Sequence, residues 1–171
     1  MYRRAMVLLT VACTAGIMPA ATQVSGEHRG YWLSFGGGGG WMGSDRTAAT
    51  YVRMGGTPHN YVQFGAQVQH WWHDDDVQHT QVTVTTAVFP LYSARGGLAA
   101  GREWFLRGGF GVAAAHSFND EDMGIGLDIG SGFNLRMGRN FFLTPNLDFL
   151  VDFYTDKTST SLLFTLGFSW H

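Results

Sequence analysis

From Met123 to Gly138 apolar residues alternate with small or polar ones. Met123, Ile125, Leu127, Ile129, Phe133, Leu135 and Met137 share one parity; Gly124, Gly126, Asp128, Gly130, Gly132, Asn134, Arg136 and Gly138 share the other. Only Ser131 interrupts the apolar set. Successive strand side chains point to opposite faces, so a period of two predicts a ribbon with one oily side. The other side carries glycine, aspartate, asparagine and arginine, and none of the lysine and glutamate that solvate an ordinary soluble sheet. That combination points to a strand set between lipid and a crowded interior.

Seven further ribbons are predicted along the chain. Tyr31 to Trp41 is the first, glycine-rich at Gly36 to Gly40, and Thr47 to Met54 is a weaker second. The third sets Val62, Phe64, Ala66 and Val68 against Gln63, Gly65, Gln67 and Gln69. In the fourth, His79 to Tyr92, Val82, Val84 and Val88 oppose Gln81, Thr83, Thr85 and Ala87. In the fifth, Trp104 to Phe118, Leu106, Phe110 and Val112 oppose Arg107, Gly109, Gly111 and Ala113. The stretch from Met123 is the sixth. The seventh places Leu143, Pro145, Leu147, Phe149, Val151 and Phe153 against Thr144, Asn146, Asp148 and Asp152. The eighth, Ser161 to Trp170, places Leu162, Phe164, Leu166, Phe168 and Trp170 against Ser161, Thr165, Gly167 and Ser169.

An even number of strands, each clear one reaching about nine to eleven residues, suits a tilted bilayer crossing. A sheet that crosses lipid must be closed, because open edges leave backbone groups without partners. The expected fold is therefore all-β, an eight-stranded antiparallel up-and-down transmembrane β-barrel. Eight strands leave an interior only wide enough for side chains. Arg53, Arg107 and Arg136 are expected there, paired with Asp128, Asp148 and Asp152, with Gln63, Gln67 and Gln69 between them. Buried charges persist only when paired, so the expectation is a plugged polar interior without an open pore.

The N-terminus suggests how such a chain reaches its membrane. Arg3 and Arg4 precede an uncharged, mostly apolar run from Ala5 to Met18, followed by Pro19, Ala20 and Ala21. This reads as a secretory signal peptide over residues 1–21, leaving a single barrel domain over 22–171. Cys13, the only cysteine, lies inside that segment, so no disulfide framework is expected in the mature chain. A lipoprotein reading of Thr10-Val11-Ala12-Cys13 fits less well, since Thr10 stands where leucine is expected. Without Arg3 and Arg4, nine basic residues face thirteen acidic ones, a net charge of −4. That balance gives no basic patch for nucleic acid. The 24 glycines, 25 aromatics and single lysine, Lys157, also fit poorly with a soluble domain.

Aromatic residues sort by strand end. Tyr31, Trp32, Tyr61, Tyr92, Trp104, Phe141 and Trp170 fall at one end; Trp41, Trp71, Trp72, Phe118, Phe153 and Tyr154 fall at the other. Two aromatic belts mark the two interfaces of a membrane barrel.

The segment Phe133-Asn134-Leu135-Arg136-Met137-Gly138-Arg139-Asn140 with Leu143-Thr144-Pro145, the strand Trp104-Phe105-Leu106-Arg107-Gly108-Gly109-Phe110-Gly111, and the ending Leu166-Gly167-Phe168-Ser169-Trp170-His171 carry a family likeness. Together they resemble the small bacterial outer-membrane β-barrel proteins related to the OmpA transmembrane domain. The resemblance implies a cell outer-membrane location reached through the periplasm, and lipids and lipopolysaccharide as surroundings. It also implies recognition of the C-terminal strand by the barrel assembly machinery. Such barrels end in an aromatic residue; here His171 follows Trp170, so the resemblance implies that Trp170 serves in its place. A monomer is expected.

Candidate chemistry is sparse. His116 and Ser117, with Asp120 and Glu121 nearby, are the only local set suited to nucleophilic catalysis of the kind a lipid A-modifying enzyme needs. As strand neighbours they would point apart. His70, His73 and His79 match no established metal spacing, and Gly36 to Gly40 lacks the lysine and helix of a phosphate loop. Asp74 to Asp76 and Asp120 to Asp122 form an acidic rim, which could also hold divalent cations against lipopolysaccharide phosphates. The outer links are short, and the longest link, Ser93 to Arg102, falls at the periplasmic end with Arg95, Arg102 and Arg139. No catalytic residue, cofactor or metal ligand is therefore assigned. The expected role is non-enzymatic, in envelope structure and surface contacts. A lipid A-modifying enzyme is the alternative, and a secreted lipocalin-like binding barrel a weaker one, because it would carry many lysines and glutamates outside.

Overall fold

Strict alternation along most of the chain gives long strands, and their pairing leaves no free edge. The computed structural model describes residues 30–59, 61–73, 77–91, 103–117 and 121–171. Its strands are β1 (Gly30–Met42), β2 (Asp45–His59), β3 (Val62–His73), β4 (Val77–Val88), β5 (Trp104–His116), β6 (Glu121–Phe133), β7 (Leu135–Arg136), β8 (Phe141–Phe153) and β9 (Thr158–Trp170). β7 is a two-residue continuation of β6 past Asn134, paired with the start of β8. Each long strand pairs antiparallel with its sequence neighbour, and β1 pairs with β9 to close the barrel. The expected signal segment, Cys13, Tyr92, the Ser93 to Arg102 link, Asp74 to Asp76, Phe118 and Asp120 lie outside the described residues.

The register fixes the tilt. From Gly39 the ladder runs through Ala48, Trp72, Gln78 and His116 to Glu121. In the other direction it runs through Phe164 and Leu147 to Ser131. The ten-residue offset between Glu121 and Ser131 on β6 is the stagger of the closed sheet. With strands about 4.8 Å apart and a rise of about 3.3 Å per residue, eight strands with this stagger tilt by roughly 40°. A 13-residue strand such as β8 then spans roughly 33 Å along the axis, more than the apolar band of about 25 Å of an outer-membrane barrel.

The outward face is the apolar one. Ile125, Leu127 and Ile129 on β6, Phe110 and Val112 on β5, and Leu147 and Phe149 on β8 all stand exposed. The expected belts are present, with three corrections. Tyr31, Tyr61, Phe141 and Trp170 are exposed and Trp104 half-buried at the terminal end, where β1 starts and β9 stops, and Trp41, Trp72 and Phe153 are exposed at the other. Trp32, Trp71 and Tyr154, however, are buried, because they share parity with the polar face and turn inward. Ser131 accepts a hydrogen bond from the indole Nε1–H of Trp104 at 2.9 Å, which explains a hydroxyl on the oily face.

Strand limits differ modestly from those expected. β2 runs on to His59 because Gly55, Gly56 and Thr57 pair with the start of β1, although they carry no hydrophobic alternation. The two-residue turn Gly43-Ser44 depends on Gly43, whose φ of 61° is a left-handed conformation open to glycine.

Candidate functional site: the barrel interior and its rims

Glycines on the inward face give polar side chains the room to meet. At Gly130 a Cβ would stand 2.5 Å from both Arg107 Nη2 and Asp148 Oδ1, so the ion pair occupies space that any larger residue would take. Arg53 Nη2 donates to Asp148 Oδ2 at 2.7 Å, and Arg107 Nη2 donates to Asp148 Oδ1. Arg107 Nε donates to Asp128 Oδ2 at 3.1 Å. Asp148 thus bridges two guanidinium groups, and two positive charges face two negative ones with all four residues buried. Gln67 accepts from Arg53 Nε and Asn146 Oδ1 from Arg53 Nη1, and the Tyr51 ring lies 3.9 Å beneath its guanidinium. A hydroxyl and amide chain continues toward the terminal end: Asn146 Nδ2 donates to Tyr51, Tyr51 stands 3.3 Å from Ser34, and Ser34 is joined to Ser169, Thr144 and Asn134.

Two expected members of this network lie elsewhere. Arg136 is exposed, because Asn134 is the last buried residue of this strand and Arg136, although still paired with Phe142 of β8, stands at the rim beyond it. Its guanidinium donates to the carbonyls of Gly138 and Arg139 at 3.1 and 3.0 Å and braces the turn before β8. Asp152 is buried, but no arginine among the described residues pairs with it. Instead Gln81 Nε2 donates to it at 2.9 Å and Tyr154 at 3.4 Å. Since the Tyr154 proton goes to Asp152, His79 Nδ1, 3.1 Å from the same oxygen, must be the donor there. Trp71 stacks on the His79 ring at 5.4 Å, over an apolar cluster of Ala49, Leu150 and Leu163. Replacing the unpaired carboxylate by its neutral isostere, Asp152→Asn, preserves an acceptor for Gln81 and removes a buried charge. The expected result is a rise in the urea midpoint equivalent to about 1 kcal/mol, read from unfolding in lipid vesicles.

The candidate chemistry of the rims does not assemble. His70 faces outward and bonds to Thr80 at 2.9 Å, His79 faces inward, and His73 meets Asp45 at 3.7 Å. Among the described residues no three histidine, cysteine or acidic side chains stand together as metal ligands would. His116 closes β5, opposite Glu121 in the ladder, and Ser117 lies just beyond the strand. Asp122 pairs with Lys157 at 2.6 Å on the exposed rim.

No family model matches the chain, and no curated protein sequence does. Solved structures do. The crystal structure of Neisserial surface protein A superposes with a TM-score of 0.59 at 8% identity, covering 82% of this chain and 94% of that one. Ail, the attachment invasion locus protein of Yersinia pestis, gives a TM-score of 0.51 at 12% identity, covering 83% and 99%. The chain has the fold of the small outer-membrane β-barrels. In that fold the outward apolar band is the lipid face and the polar network is the interior. At such low identity the likeness extends to architecture and not to any shared site.

Proposed function

We propose that the chain is an integral barrel of the bacterial outer membrane, without enzymatic activity, inserted with its termini in the periplasm and its short turns outside. The observation that carries this reading is the outward face itself: an apolar band bounded at both ends by exposed aromatics, on a barrel whose polar groups are turned inward. With Arg53, Arg107, Asp128 and Asp148 bound to one another across the lumen, the barrel is closed to ions and acts as a structural element of the envelope. Only the two residues Gly43 and Ser44 join β1 to β2 outside, so surface contacts fall to the rim, where among the described residues Asp45, Glu121, Asp122 and Asp156 outnumber Arg46 and Lys157. Its partners are outer-membrane lipids and lipopolysaccharide, with no nucleic acid, and it functions as a monomer. The assembly machinery reads Trp170, which faces outward as the last residue of β9.

Ile129→Arg tests the lipid face. The side chain of Ile129 is 66% exposed midway along β6, so a soluble barrel would accept arginine there at almost no cost. In a bilayer the same change should cost about 2–4 kcal/mol. Urea unfolding of the wild type and the variant in vesicles measures the difference, and an unchanged midpoint would refute the membrane assignment. Lipid A should have the same mass spectrum with and without the protein; a modified lipid A would favour the enzyme instead.

A further inference from the structure

The terminal half of the lumen contains a cavity of about 30 Å³, bounded by Trp32, Ser34, Gln63, Arg107, Asn134 and His171 among others. Two features mark it as more than a packing defect. First, Trp32 is buried, lines the cavity, and its indole Nε1–H finds no acceptor among the described residues. A buried donor without an acceptor is costly, and a small polar occupant removes that cost. Second, Ser34, Gln63, Asn134 and Thr144 bring polar side chains to a wall they share with Trp32, Ala87 and Phe105, and a cavity of this size with such groups holds about one or two water-sized molecules. Charge decides the class of occupant. Arg53 and Arg107, both on the cavity wall, are balanced by Asp128 and Asp148, which leaves no excess positive charge for an anion.

The mouth of the cavity is bounded by His171, the residue after β9. His171 does not continue β9. Its backbone N–H donates to the Asn140 carbonyl at 3.1 Å, its ring meets the Phe142 ring edge-on at 4.9 Å, and its Nδ1 lies 3.4 Å from Gln63 Nε2. Trp170 before it points outward, so by strand parity the His171 side chain turns inward, to the mouth of the cavity. The other end is sealed differently. Trp71 is fully buried and its Nε1–H also lacks an acceptor among the described residues, but it is packed against Ala49, Leu150 and Leu163, stacked on His79, and not part of the cavity wall.

We propose that this cavity is a solvent-exchanging pocket for water-sized, neutral hydrogen-bond acceptors, entered from the terminal end of the barrel, with His171 as its door. The pocket is defined by the lumen and does not depend on which way the barrel inserts. It can therefore be tested in detergent micelles, where the membrane reading plays no part.

The two buried indoles provide an internal comparison. After transfer of the refolded protein to D2O, with resonances assigned through Trp32→Phe and Trp71→Phe, the Trp32 Nε1–H should exchange at least about tenfold faster than that of Trp71. Removing His171, or replacing it by alanine if the shortened chain does not refold, should accelerate Trp32 further and leave Trp71 unchanged. Equal protection of the two indoles overturns the pocket. Acceleration of both together overturns the role of His171 as a door. A saturable shift of the Trp32 resonance with added chloride or formate overturns the assignment to neutral occupants.

Discussion

Asp148→Asn is expected to destabilise the barrel by about 3–5 kcal/mol, because it leaves Arg53 and Arg107 facing each other with only Asp128 to balance them. Both guanidinium groups are buried on strands held in ladders, so neither can swing out to solvent. Refolding into vesicles followed by urea titration, with the fast-migrating folded band on unboiled gels as a second readout, measures the loss. A companion variant separates the cost of an orphaned charge from the worth of the network. Arg53→Met combined with Asp148→Leu removes one charge of each sign and leaves Arg107 with Asp128. Since a buried ion pair and a well-packed apolar replacement come out nearly equal, the double variant should recover most of the stability. A single variant that loses less than about 1 kcal/mol would show that the quartet is hydrated and weakly coupled.

The same quartet shows where sequence reasoning stops. Alternation placed Arg53, Arg107, Asp128 and Asp148 on the inward face, because parity on a strand survives any change of neighbour. It could not say which aspartate meets which arginine, since that depends on the ten-residue stagger, a property of closure that no single strand displays. Asp152 lies on the right face but level with Gln81 and Tyr154. Arg136 has the parity of an inward residue but stands at the rim beyond Asn134, still paired with Phe142 yet open to solvent; alternation carries no mark of where the lumen ends. Trp71 and Leu163 were hardest to read. They are large apolar residues that face inward and fill the space left by Ala49 and the small residues around them. The complementarity of large and small across an eight-stranded lumen is set by neighbours far apart in sequence. Trp32, His171 and the cavity they share were invisible for the same reason.

Gly38→Ala should interfere with closure itself. A methyl group at Gly38 would collide with the Phe164 carbonyl and stand 2.8 Å from the Thr165 Cα, both backbone atoms of β9. Side chains can turn away from such an intrusion, but a backbone held in a ladder on both sides cannot. The contact lies on the seam where β1 meets β9, and Gly38 is the register partner of Thr165. That pairing joins the two ends of the barrel sequence, the most non-local contact in the fold and the one whose loss leaves two open edges in lipid. The expected cost is about 3 kcal/mol or more, seen as a reduced yield of the fast-migrating band after refolding. Gly108→Ala provides the control, because its Cβ would meet nothing within 4 Å. It should stay within about 0.5 kcal/mol of the wild type. If Gly38→Ala refolds as well as Gly108→Ala does, β1 and β9 must be free to separate slightly without opening. The glycines Gly36 to Gly40 would then serve chain flexibility during insertion and not the close approach of two strands.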